Sequence, residues 1–103
     1  MISLKPGARV RGMRTEILFA HTVVASVFAA HGLDCVVTSA SDGKHSAGSR
    51  HYSFCAIDYR TRHITAAGQK KQITRVIDEA LGEDFDVVLE DTHLHVEYDP
   101  KSP

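Results

Sequence analysis

Apolar residues recur along the chain with two different periods, and the places where the period switches mark out the elements. Ile17, Ala20, Val24, Val27 and Phe28 fall three and four apart, as one face of a helix does. Thr15 is a candidate N-cap and Gly32 a stop, so the first helix is predicted between them. Leu33 to Thr38 is short, apolar and β-branched, which predicts a strand buried on both faces. Ser39 to Arg50, rich in Ser, Gly, Asp and Lys, predicts a loop. Tyr52 to Tyr59 resumes alternation, with Phe54, Ala56 and Asp58 on one side and Cys55, Ile57 and Tyr59 on the other. Thr65 then caps a second predicted helix whose apolar face is Ile73, Val76, Ile77, Ala80 and Leu81, with Gly82 as its end. Phe85 to Leu89 and Leu94 to Tyr98 read as two further strands.

The order α, β, β, α, β, β predicts an α+β domain, a small and mostly antiparallel sheet packed against two helices. With 103 residues, the chain has room for one core, so 1–103 is read as a single domain. Residues 1–12, with Pro6, Gly7 and Gly12, read as a loose or edge-lying arm, and 100–103 as a loose tail. No internal repeat or linker interrupts the pattern.

Composition narrows the function classes. A formal net charge of −1, with Lys and Arg scattered rather than clustered, argues against a nucleic-acid or anionic-lipid surface. The basic stretch Gln69 to Arg75 reads as the solvated side of the second helix. Ile17 to Ala30 is too short for an ordinary membrane span and is broken by His21, Thr22 and Ser26. Ala29-Ala30-His31 is a weak match to a leader-peptidase site, so no secretory signal is expected. A soluble monomer is expected. Cys35 and Cys55 both lie within apolar runs, which predicts buried reduced thiols rather than a disulfide or a nucleophile.

Seven histidines in 103 residues is the unusual feature. The polar residues that break the apolar pattern concentrate in two places, Ser49 to Asp58 and Glu90 to His95. A catalytic zinc ion needs three protein ligands, commonly His nitrogens and a carboxylate oxygen, with a position left for water. His51, Asp58 and His93 can supply that set. Glu90, three residues before His93, can take the proton from the attacking water. His95 leaves the strand on the same side as His93 and can stand beside the ion, donating a hydrogen bond to a developing oxyanion. His21, His31 and His63 read as ordinary core or surface histidines, and His45 as a loop residue. A serine nucleophile is disfavoured because no Gly-x-Ser-x-Gly elbow is present. Two histidines and a carboxylate can also hold iron, and His93-Leu94-His95-Val96-Glu97 is similar to part of a cupin motif, although no later partner His follows.

Ser49-Arg50-His51-Tyr52-Ser53-Phe54-Cys55-Ala56-Ile57-Asp58 resembles the Ser-x-His-x-x-Gly-x-Ala-x-Asp signature of the zinc D-Ala-D-Ala peptidases, and Glu90-Asp91-Thr92-His93-Leu94-His95 resembles their Glu-x-x-His-x-His signature. That family comprises D,D-carboxypeptidases, the D,D-dipeptidases of vancomycin resistance, and the L-alanyl-D-glutamate endopeptidases that bacteriophages use as endolysins. The two signatures cover sixteen positions, and the pattern between them extends the likeness over roughly residues 33 to 99. The resemblance implies a Hedgehog/D,D-peptidase-like fold and one zinc ion on His51, Asp58 and His93. It makes Glu90 the general base and His95 a support for the transition state. Ser49 and Tyr52, flanking His51, would be substrate contacts. The implied substrate is the stem peptide of bacterial peptidoglycan, cleaved by an enzyme made in the cytoplasm, of phage or prophage type, and acting on the wall after release.

Two positions depart from the pattern. Phe54 stands where the family usually has Gly. The family's upstream Arg, in a Ser-Gly-Tyr-Arg-like turn, has no counterpart in Thr38 to Lys44, leaving Lys44 as the substitute cation, a point charge rather than a guanidinium fork. Both departures keep open a second reading, a non-catalytic metal-containing module of the same fold that binds wall peptides or a protein partner.

Overall fold

The computed structural model describes residues 2–4, 15–41 and 55–100, with the backbone alone at 2–4 and 41. In chain order the elements are β1 (Ile2–Leu4), α1 (Thr15–Ala30), β2 (Cys35–Ser41), β3 (Ala56–Arg60), α2 (Gln69–Leu81), β4 (Phe85–Leu89) and β5 (His93–Tyr98). The strands form one sheet in the order β1-β2-β3-β5-β4. Every neighbouring pair is antiparallel except β1 and β2. The α+β class, the two helices and the mostly antiparallel sheet are thus as the sequence pattern predicts.

One face of the sheet carries the core. Cys35 and Val37 of β2, Ile57 and Tyr59 of β3, and Leu94 and Val96 of β5 are all buried there against Ile17, Ala20, Val24 and Phe28 of α1 and Ile73, Ile77 and Leu81 of α2. Strand alternation then sends Asp58, Arg60, His93, His95 and Glu97 to the opposite face. Cys35 and Cys55 are buried and form no disulfide, and burial pushes the Cys35 thiol up to about 11. Among the described residues no helix is long and apolar enough to cross a membrane.

Several boundaries differ from the sequence reading. Within the arm 1–12, read as loose or edge-lying, Ile2–Leu4 lies along the sheet edge with Ile2 opposite Cys35. β2 runs on past Thr38 to Ser41, since its polar end finds partners in β3: Ser39 is opposite Asp58, Ala40 opposite Ile57 and Ser41 opposite Ala56. Thr65 does not cap α2. The helix starts four residues later, and its N-cap is Gly68, in the left-handed conformation (φ 75°) with no side-chain cap. The Gln69 N–H turns back to the Ala66 carbonyl at 3.1 Å, so a glycine turn replaces the threonine. Val76 and Ala80 are exposed, because α2 buries only the narrow stripe Ile73, Ile77 and Leu81 at intervals of four.

β4 and β5 form a tight hairpin. Leu89 pairs with Leu94, and the Glu90 N–H donates to the His93 carbonyl at 2.8 Å, leaving Asp91 and Thr92 as a two-residue loop. Neither has positive φ, so the turn is not of the primed kind usual in such loops.

Candidate metal and carboxylate site

The sheet face away from the helices gathers the polar residues singled out by spacing. Asp58 sits opposite His95 in the β3·β5 ladder, and Arg60 opposite His93. Asp58 is the hub. Its Oδ1 accepts a hydrogen bond from His95 Nδ1 at 2.7 Å and lies 3.8 Å from His93 Nε2. Its Oδ2 accepts from the Ser39 hydroxyl at 2.9 Å, and the Thr38 hydroxyl donates to the Asp58 carbonyl at 3.2 Å. The Ser39 contact depends on a register shift between Val37 and Ser39, a bulge-type irregularity of the kind that re-aims side chains next to functional sites.

His95 is held from both ends, with Nδ1 on Asp58 and Nε2 on Glu97 Oε1 at 2.9 Å. Two carboxylate acceptors require both ring nitrogens to carry protons, so the ring is an imidazolium. The hydrogen bond to Asp58 dominates, burial opposes it, and the Glu97 hydrogen bond and the two carboxylate charges add to it, raising the His95 pKa to about 9. For Asp58, burial alone would raise the pKa. The hydrogen bonds from His95 and Ser39, with the charges of His95 and His93, outweigh that and hold it below the usual carboxylate value.

A divalent ion fits the Asp58 and His93 side of this arrangement. Zinc binds O and N at about 2.0–2.2 Å, so two ligands of a tetrahedral ion stand roughly 3.3–3.6 Å apart, close to the 3.8 Å between Asp58 Oδ1 and His93 Nε2. A carboxylate has about four lone-pair positions, so the bonds from His95 and Ser39 leave Asp58 able to ligate. The remaining ring nitrogen of His93, Nδ1, meets the Thr92 hydroxyl at 3.0 Å, an outer partner of the kind that orients a ligating imidazole. Glu90 is exposed at the start of the hairpin loop, joined to His93 through the backbone. The third expected ligand, His51, lies outside the described residues, as do Lys44, Ser49, Tyr52 and Phe54.

His95 as placed has no N–H left for a substrate oxyanion. In this arrangement the ring instead braces Asp58.

Glu97 is a further member of the site, one that the zinc-ligand spacing does not include. It is only 4% exposed, and its register partner is Asp86. Asp86, Glu97 and Asp99 bring one carboxylate oxygen each within 4.8 Å of one another. The His-x-His-x-Glu alternation carried the signal that Glu97 shares a face with both histidines, but the strand that supplies Asp86 could not be read from it.

The other histidines sit elsewhere. His21 Nδ1 meets the buried Tyr59 hydroxyl at 2.8 Å, with the rings stacked at 5.7 Å, and burial lowers the His21 pKa. His31 Nδ1 donates to the Val27 carbonyl and His63 Nε2 to the Asp34 carbonyl, at 2.8 and 2.7 Å.

Neither a protein-family model, nor a curated protein, nor a solved structure matches the chain.

Proposed function

We propose that the chain is a zinc-dependent peptidase that hydrolyses the stem peptides of bacterial peptidoglycan, with His51, Asp58 and His93 as the metal ligands and Glu90 as the general base. The observation that carries the reading is the approach of Asp58 Oδ1 and His93 Nε2 to 3.8 Å on the helix-free face, from two strands whose sequences resemble the two zinc-site signatures. When bound, the ion would polarise the scissile carbonyl and make water a nucleophile near neutral pH. Glu90 takes the proton of the attacking water and returns it to the leaving amine. His95 fixes the rotamer of Asp58, and Glu97 fixes His95. Lys44, Ser49 and Tyr52 are assigned to the substrate from their place around the first motif. A Hedgehog/D,D-peptidase-like fold, phage or prophage origin, and action on the wall after release belong to the same proposal.

The test combines metal content with digestion of purified peptidoglycan, followed by mass spectrometry of the released peptides. The reading expects close to one zinc per chain and new peptide termini, with Glu90→Gln retaining zinc and releasing nothing. Normal release by Glu90→Gln would refute the mechanism. Phe54 in place of the pattern's Gly, and the absence of its upstream Arg, favour one rival, a module on the same fold that binds wall peptides without cutting them. Retained peptide binding without any release would establish that rival.

A further inference from the structure

β4 is an edge strand, and among the described residues no strand pairs with its outer side. The hairpin register tells which peptide groups are left there. Glu90 and His93 are hydrogen-bonded through the Glu90 N–H at one end of the ladder, and Asp84 and Asp99 through the Asp99 N–H at the other. Antiparallel pairs of this kind recur at every second position, so Asp86 and Val88 turn their N–H and C=O towards β5, and Phe85, Val87 and Leu89 turn theirs outward. Only the Phe85 N–H is used within the chain, on the Gly82 carbonyl at 3.3 Å. Proteins commonly blunt such an edge with Lys, Pro or a bulge. β4, with the sequence Phe-Asp-Val-Val-Leu and an unbroken register, has none of these. Its core-side residues Phe85, Val87 and Leu89 stay half-buried, and Val88 on the helix-free face is 45% exposed.

The helix above this edge carries its charges in an order that the helix itself does not favour. α2 packs on β4, with Lys70, Lys71 and Arg75 in its first half and Asp78 and Glu79 in its last turn. The dipole of a helix favours acids at the start and bases at the end, the reverse of this order.

We propose that β4 is a self-association edge, pairing antiparallel with β4 of a second copy about a two-fold axis at Val87 and joining the two five-stranded sheets into one. About that axis the N–H and C=O of Val87 meet the C=O and N–H of the partner's Val87, and the Leu89 N–H of each copy meets the Phe85 carbonyl of the other. Every outward group except the Leu89 carbonyl is then satisfied. Side chains keep their faces, so Phe85 falls opposite Leu89, and Asp86 falls opposite Val88 rather than another acid. α2 turns back into β4 through residues 82–84, so antiparallel strands set the two α2 helices antiparallel as well. The basic half of each then runs beside the acidic half of the other. A contact of this symmetry closes at two copies, in place of the monomer expected from the sequence. It requires neither metal nor peptide and is independent of the peptidase reading.

Sedimentation of the full chain over a roughly thousandfold range of concentration is expected to show a monomer–dimer equilibrium, with a dissociation constant on the order of 1–100 μM for so short a strand. Amide hydrogen exchange at Val87 and Leu89 is expected to slow at least about tenfold as the dimer forms, and to stay constant at Val88, whose N–H already faces β5. Val87→Pro deletes one outward N–H and leaves the β4·β5 ladder complete, and is expected to weaken association at least about tenfold. Should that variant not fold, Lys71→Glu is expected to weaken the dimer and the addition of Glu79→Lys to restore it, both positions being exposed. A chain that stays monomeric throughout overturns the proposal, as does a dimer in which Val87 and Leu89 exchange as fast as in the monomer. Association undiminished in folded Val87→Pro, or in Lys71→Glu, overturns it too.

Discussion

Asp58 and His95 face each other across β3 and β5 with Oδ1 and Nδ1 2.7 Å apart, and this hydrogen bond is the main support of the His95 imidazolium. An imidazolium between two carboxylates is a satisfied arrangement only while all three members are present, since removing one leaves a desolvated charge behind.

Asp58→Asn is therefore expected to do two things at once. The His95 ring loses its main support and titrates closer to its ordinary value, and the fold loses about 1–3 kcal/mol from a broken charge-assisted hydrogen bond. Zinc binding should also be abolished. Denaturant midpoints and a His95 ring-proton titration by NMR check the first effect, and metal analysis the second. An unchanged His95 titration would show that Glu97 alone holds the proton.

The pH dependence of the metal-free chain follows from three groups. His95 is raised to about 9, so its stabilisation is complete below the unfolded value of 6.5 and disappears as the pH climbs through 9. The loss is at most about 3 kcal/mol. His21 is lowered by burial, so the unfolded chain takes up its proton first and stability falls as the pH drops below 6.5. Asp58, also lowered, adds a further loss as the pH drops below its ordinary value of 3.8. Urea denaturation across pH 3 to 10 should give a maximum near pH 6.5. The alkaline limb should flatten in His95→Gln, and a limb of unchanged slope in that variant would mean another group is responsible.

Tyr59→Phe removes a hydroxyl and nothing else. Tyr59 is fully buried, and its hydroxyl is the partner of His21 Nδ1. Left without that partner, the half-buried imidazole should cost about 1–2 kcal/mol. Because the pair lies on the helix side of the sheet, metal binding should be unaffected. A shift in zinc affinity larger than about twofold would indicate that the two faces are coupled.

Ile77→Ala truncates a side chain with no exposed surface, at the centre of the stripe by which α2 docks. The expected loss is about 2–5 kcal/mol. Val76→Ala, one position away and 37% exposed, should change stability by less than about 0.5 kcal/mol. Thermal melts of the two variants distinguish this register from one turned by a single residue.

The helices were legible because one buried stripe repeats every three or four residues, and positions 17, 20, 24 and 28 have no other use. The edges of elements were not. Ser39 to Ser41 looks like a loop until Asp58 is seen to receive the Ser39 hydroxyl beside that of Thr38, and such long-range pairing leaves no local trace. Gly68 displaced Thr65 because a positive-φ turn is as good a helix start here as a hydroxyl cap, and sequence alone does not rank the two. At the site, alternation put His93 and His95 on one side of a strand. The ladder register, which decides that Asp58 meets His95 squarely and His93 obliquely, is a property of two strands together.

The short turn at Asp91 and Thr92 has a mechanical consequence. Glu90 and His93 close that turn as a bonded pair, so the base assigned to the reaction and a ligand assigned to the ion ride on one stiff clip at the end of the sheet. Twisting or shearing of the strands would carry both together and leave their spacing untouched. Only lengthening the turn itself would let one drift from the other, which makes those two loop positions the least forgiving place in the chain for an inserted residue.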